Sequence, residues 1–215
     1  MVRGLHQKLL ILGATGGTGQ QLLTQALEAG HEVTGFARSF AQTPVQHERL
    51  HLVAGSVTDD GAMLAHAVRG QDAVISALGR GKSFKSASLI QRSVPAIVSA
   101  MQTHGVRRLI FTSAFGVRDT LQDAPLFSRL MFHLLLSDIY ADKAVGEELI
   151  RGSDLGWTLV QPALLTNGPL TRKYRVGEHL QLRGMPKISR ADVAHFILSQ
   201  LDDSAYMRKV ALIAY

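Results

Sequence analysis

The 215-residue sequence contains no cysteine, which excludes disulfides, thiolate nucleophiles and cysteine-based metal sites. Its nine histidines show no metal-ligand spacing such as H-E-x-x-H. His47 and His51 are four apart but straddle a turn-to-strand transition, so no metal is expected. Aromatic residues make up only 6%, and no nucleic-acid-binding motif accompanies the basic ones, which argues against a nucleic-acid partner. No apolar run approaches the ~20 residues that span a bilayer, and no membrane partner is expected. The run at residues 9–12 stops at glycine and is too short for a signal-peptide core. A reducing, cytoplasmic location fits these absences.

The net charge is +6, yet the basic residues are scattered, with small groups at residues 80–85, 172–175 and 183–190. Such a distribution suits solubility and attraction for a multiply phosphorylated ligand.

What is present is a glycine turn, Gly13-Ala14-Thr15-Gly16-Gly17-Thr18-Gly19, between the apolar run at 9–12 and a helix-like stretch. Backbone N–H groups at a helix N-terminus, with the helix dipole behind them, favour a pyrophosphate. Gly13 permits a tight turn, Gly16 lets phosphates approach the backbone, and Gly19 lets the helix pack closely on its strand. The spacing is G-x-x-G-x-x-G rather than G-x-G-x-x-G.

Strand-like segments at residues 8–12, 31–37, 50–54, 72–77, 108–113, 157–161 and 209–214 alternate with helical patterns. The helices are expected at 17–29, 59–68, 86–103, 125–151 and 189–201. This alternation predicts an α/β parallel sheet with helices on both faces in a single domain over 1–215. Asp59 and Ser189 stand where helix N-caps belong, and Gly30, Gly70 and Gly105 follow helix ends. Pro95 should kink or break its helix. Residues 164–186, rich in glycine and proline, depart from the rhythm. They read either as a surface loop with a small hairpin or as a substrate-side lid.

Arg38 and Ser39 close the second strand, where an acidic residue would bind the ribose 2′-hydroxyl of NAD. An arginine there suits the 2′-phosphate of NADP, so NADP(H) is the expected cofactor. Gly81-Lys82-Ser83 imitates a P-loop, but the required first glycine is Ser76, which argues against ATP hydrolysis.

Several segments together carry a resemblance. They are the glycine turn, Val53-Ala54-Gly55-Ser56-Val57, Gly70-Gln71-Asp72-Ala73-Val74-Ile75, and His104-Gly105-Val106-Arg107-Arg108 leading into Thr112-Ser113-Ala114-Phe115. They resemble the atypical short-chain dehydrogenase/reductases, in the NAD(P)H-binding, NmrA-like branch, and within it the flavin reductase/biliverdin IXβ reductases. The resemblance runs nearly the full length and weakens after Leu164. It implies a Rossmann-like doubly wound sheet in which Thr15, Gly16, Gly17 and Thr18 cradle the pyrophosphate and Arg38 the 2′-phosphate. Ser56 and Val57 would border the adenine. Leu78, Gly79 and Arg80 would line the ribose side, and Thr112, Ser113 and Pro162 the nicotinamide side. Ser56 replaces the family's usual aspartate, and Ala163 replaces a frequent histidine of the flavin reductase group.

Short-chain dehydrogenases commonly place a proton-donating tyrosine four residues before a lysine. Lys143 lies in the expected helix, but four residues earlier stands Ile139. Tyr140 is three residues away, rotated about 100° from the required face. Lys143 reads either as a contact to the cofactor ribose or as a surface lysine paired with Glu147. Ser113 and Lys143 are the candidate catalytic residues, Ser113 bonding a substrate carbonyl or the nicotinamide amide. Without a positioned acid, hydride delivery to a conjugated, planar acceptor such as a flavin, quinone or bilin is favoured over carbonyl reduction. The alternative is a regulatory protein that senses NADP(H) without turnover. The apolar stretch from Leu130 to Ile139 reads as core packing, or as a homodimer face.

Overall fold

The computed structural model describes residues 6–41, 45–79, 88–117, 137–182 and 184–215, the side chains of residues 137–139 excepted. Its first strand, β1 (Lys8–Leu12), is buried at every position after Lys8. This uninterrupted apolar run, with no polar alternation, is what a parallel strand covered on both faces requires. β1 pairs in parallel with both β2 (Glu32–Ala37) and β4 (Ala73–Ser76). β3 (Leu50–Ala54), β5 (Arg108–Thr112) and β6 (Gly156–Pro162) extend the sheet outward in the same direction. Between them run α1 (Gly17–Glu28), α2 (Gly61–Val68), α3 (Leu89–Thr103) and α4 (Ser137–Arg151). After β6 come three short strands, β7 (Leu164–Thr166), β8 (Arg175–Gly177) and β9 (Lys187–Ser189), then α5 (Arg190–Ser199) and β10 (Lys209–Ala214).

The main sheet has the order β3-β2-β1-β4-β5-β6-β10-β8, parallel except for β8. One core packs α1 and α5 on one face through Leu22, Leu23, Ala26, Phe196 and Ile197. The other sets Leu64, Val94, Ile97, Met101 and Ile150 against the opposite face. The sheet is therefore doubly wound, and the order reverses between β1 and β4, where such folds open a crevice at the carboxyl ends of their strands.

Several local expectations hold and others change. Gly30, Gly70 and Gly105 end their helices with φ of 96°, 74° and 71°, the left-handed conformation that glycine adopts without penalty. Ser189 caps α5, its Oγ accepting from the Asp192 amide at 3.0 Å. Asp59, expected to cap α2, instead accepts from Ser56, Thr58 and Arg92, and Asp60 occupies the cap position. Pro95 lies inside a helix that continues through it. The hairpin expected within 164–186 does not form: β7 pairs with β9 in parallel, and β8 joins β10 as an antiparallel edge. The expected helix over 125–151 is described only from Ser137, so residues 125–136 lie outside the described residues, as do the side chains of the stretch from Leu130 to Ile139 read as core packing or a homodimer face.

The junction of α3 and α4 is built on two residues that sequence reading passed over. Asp142, buried on α4, accepts from the amides of Ile90 at 3.0 Å and Gln91 at 2.9 Å. A carboxylate from a neighbouring helix thus satisfies the orphan donors at the start of α3. One turn later Gly146 meets Ile90 so closely that a Cβ would collide with the Ile90 side chain.

Candidate cofactor site at the carboxyl edge of the sheet

The glycine turn connects β1 to α1 at the reversal point. Gly13 has φ of 78°, and a Cβ there would lie 2.8 Å from the Ala77 carbonyl oxygen. A Cβ on Gly19 would collide with the Gly13 carbonyl oxygen. These two glycines are demanded by packing within the turn. Gly16 and Gly17 are different: both are exposed, at the open side of the turn. No side chain caps α1, and no acidic residue occupies its first turn. The first amide of α1 with a backbone partner is that of Gln20, bonded to the Gly16 carbonyl. Among the described residues the amides of Gly17, Thr18 and Gly19 therefore have no acceptor, and the positive end of α1 faces the crevice.

Around this turn the described site residues gather at strand ends. Arg38 and Ser39 follow β2 and are exposed. Arg38 makes no ion pair with a described residue, while Ser39 Oγ accepts from the Ala41 amide at 3.4 Å. Ser56 follows β3, with its amide on Asp60 at 2.7 Å and its hydroxyl on Asp59 at 2.6 Å; Val57 is buried beside it. Ser56 is thus turned toward α2, and its amide is already used. Leu78 and Gly79 follow β4, Leu78 half-buried and Gly79 exposed with open space around it. Arg80 and the basic residues up to Lys85 lie outside the described residues.

At the expected nicotinamide end, Ser76, Thr112 and Ser113 carry buried hydroxyls with no hydrogen-bond partner among the described residues. Native interiors rarely leave such groups unpaired, and these three line the carboxyl ends of the neighbouring strands β4 and β5. Pro162 is buried at the end of β6, its carbonyl accepting from the Phe115 amide at 3.1 Å. An uncapped helix start, a turn open at Gly16 and Gly17, and orphan hydroxyls one and two strands away together fit a dinucleotide.

The side chains on α4 part company with expectation. Tyr140, rotated off the face that a proton donor requires, donates its hydroxyl to the Phe115 carbonyl at 3.0 Å, and burial pushes its pKa up to about 12. Lys143 is half-buried. Glu147, expected on the surface, is fully buried and accepts from Gln161 at 2.8 Å, with Arg151 at 3.8 Å. Burial raises its pKa, outweighing the opposing pull of Ser113, Gln161, Arg151 and Lys143. Ser113 lies near enough to contribute to that pull, yet neither its Oγ nor Glu147 Oε2 completes a hydrogen bond. The buried carboxyl and its glutamine partner had no sequence signature, because they come together from α4 and β6.

Arg190, the first residue of α5, was grouped at sequence level only with scattered basic residues. Its side chain lies across Gly17: a Cβ there would be 2.8 Å from Arg190 Cδ and 2.9 Å from Nε. Arg190 Nη1 donates to Asn167 Oδ1 at 2.6 Å. Two helix starts and a residue of the 164–186 segment therefore converge on the open side of the turn.

Sheet order, reversal point and uncapped glycine turn define a Rossmann-type dinucleotide-binding fold. The chain belongs to the NAD(P)H-binding family, whose model matches residues 13–204. It is 26% identical to the reductase pytE of Aspergillus terreus, over 96% of this chain and 97% of that protein. A short-chain dehydrogenase/reductase of Veillonella parvula, crystallised in complex with NADP, superposes with a TM-score of 0.84 at 22% identity, over 98% of this chain and 95% of that one. The anaerobillin reductase ChuY of Escherichia coli O157:H7 superposes with a TM-score of 0.77 at 21% identity, over 96% of each chain. The chain is thus an NAD(P)H-binding member of an oxidoreductase family with reductase relatives. Among the described residues no helix is long and apolar enough to cross a membrane.

Proposed function

We propose that this protein is an NADPH-dependent reductase acting on a planar, conjugated acceptor of the flavin, quinone or bilin type. The observation that carries the reading is the state of Tyr140. Its proton is held by a backbone carbonyl, and burial disfavours its release. Ile139, in the position where related dehydrogenases keep their acid, has no proton to give. Reduction of a simple ketone needs such a donor beside the nascent alkoxide. A conjugated acceptor spreads the charge and takes its proton from solvent.

The bound nicotinamide would supply the hydride. The chain's own residues bind and orient: the amides of α1 hold the diphosphate, and the Thr112 and Ser113 hydroxyls receive the carboxamide or an acceptor oxygen. Lys143 lies on the ribose side. Catalysis then consists mainly of holding two flat rings face to face. The pytE relative and the ChuY neighbour, both named as reductases, support this reading.

Steady oxidation of NADPH in the presence of a flavin, quinone and bilin panel is the expected result. Tight NADPH binding without turnover on any acceptor would overturn it in favour of a cofactor-sensing role. Preference for NADPH is assigned to Arg38, whose guanidinium is exposed and engaged with no described acidic group. Arg38→Ala is expected to cut the ratio of NADPH to NADH affinity roughly ten- to a hundredfold, the worth of one charge-assisted phosphate contact. Calorimetric titration with both nucleotides checks this, and an unchanged ratio would reassign the 2′-phosphate contact.

A further inference from the structure

We infer that Arg190, tethered by Asn167, adds a cation to the α1 amides in holding the cofactor diphosphate and couples the 164–186 segment to cofactor binding. The inference rests on the reading of the glycine turn as the diphosphate cradle. Its own basis is the contact between α5 and α1. The Arg190 side chain runs over Gly17, where a Cβ would come within 2.8 Å of its Cδ and 2.9 Å of its Nε, so the guanidinium keeps this position only while residue 17 has no side chain. Gly17 bears one of the three amides that lack an acceptor, so the guanidinium sits beside the positive start of α1 rather than against a carboxylate.

Two positive elements brought together without an acidic partner repel each other until an anion arrives between them. The hydrogen bond that Arg190 makes is to Asn167, a neutral oxygen, which leaves its full charge and its remaining N–H groups for a ligand. A planar guanidinium with free donors is well matched to phosphate oxygens. Asn167 follows β7, and Arg190 follows β9, the strand β7 pairs with. The clasp therefore joins the start of the substrate-side segment to the helix that lies on the turn. An anion that draws in Arg190 acts on Asn167 as well.

The test compares two ligands that share the adenosine 2′-phosphate end. NADPH contains the diphosphate; adenosine 2′-monophosphate does not. By calorimetry, Arg190→Gln is expected to weaken NADPH binding roughly ten- to a hundredfold while leaving adenosine 2′-monophosphate within about twofold. Arg190→Lys, which keeps a point charge but loses the planar fork, is expected to recover part of the loss. Asn167→Ala is expected to weaken NADPH by a smaller factor, also without touching the monophosphate. Unchanged NADPH affinity in Arg190→Gln would overturn the proposal. Equal losses for both ligands would overturn it too, because they would mark Arg190 as a support of the fold. If the unaltered protein binds neither ligand, the cofactor reading itself fails and carries this one down with it.

Discussion

Asp192→Ala is expected to destabilise the protein by about 3–5 kcal/mol. Asp192 is fully buried and accepts from five donors. The amides of Thr171 and Arg172 reach Oδ1 at 2.9 and 2.7 Å. The hydroxyls of Thr171, Ser189 and Tyr215 reach Oδ2 at 2.8, 3.0 and 2.7 Å. One carboxylate thereby joins the chain's last residue, the cap of α5, and a segment that includes Arg172 at φ of 58°. An alanine leaves all five donors without their acceptor, in a place water does not reach. For a protein of this size the change corresponds to a fall in Tm on the order of 10 °C.

The same network sets a pH signature. Burial by itself raises the Asp192 pKa, but the bonds from Tyr215, Arg172 and Thr171 outweigh it and hold the group below the usual carboxylate range. A depressed folded pKa means that the unfolded chain takes up the proton first as pH falls. The stabilisation is therefore complete above the ordinary carboxylate pKa near about 4, and it is lost as pH drops through the lower, folded value. Asp192→Asn should flatten this acid limb. It should also cost less than alanine, because two of the three hydroxyls can turn to accept from the two amide N–H groups while the amide oxygen still serves the two backbone donors. Denaturant unfolding from pH 7 downward measures both effects, and an acid limb identical to that of the unaltered protein would remove Asp192 from its cause.

Sequence alone made the sheet legible wherever its logic is local. The runs at 8–12 and 209–214 become β1 and β10 with the same bounds, because a strand buried between two helical layers is an apolar run between turn signals, and the run at 50–54 keeps its bounds as the more exposed edge strand β3. The caps at Ser189 and the three helix-ending glycines were legible for the same reason. Asp192 left a local trace too, three residues after its cap serine, but four of its five donors arrive from elsewhere in the fold. Asp142 left none, since its acceptor role depends on amides some fifty residues earlier. Residues 164–186 left two readings open, a loop with a small hairpin or a substrate-side lid, and nothing local in them announces the long-range pairing that forms. β8 instead finds β10, whose outer edge would otherwise expose unpaired backbone groups. Arg190 was hidden by its type: a basic residue among basic residues, given meaning only by the glycine beneath it.

The glycine turn offers a graded experiment in which position decides the outcome. Gly19→Ala is expected to weaken cofactor binding by more than about a hundredfold and to cost roughly 1–3 kcal/mol of stability. The added methyl meets the Gly13 carbonyl and the Ala14 backbone, and backbone offers no rotamer to yield. Relief requires the turn to move away from α1, which displaces the amides that face the diphosphate. Gly17→Ala meets only the flexible Arg190 side chain, which can swing aside. It should lose affinity with little loss of stability. Gly16→Ala meets a single atom, the Gly13 oxygen at 3.3 Å. Its methyl projects from the open side, so its cost should appear only when ligand is added. Parallel thermal melts and NADPH titrations of the three variants separate these cases. If Gly19→Ala melts and binds as the other two do, the close approach of α1 to β1 is not what holds the phosphate turn in shape, and the site must draw its order from the strand ends instead.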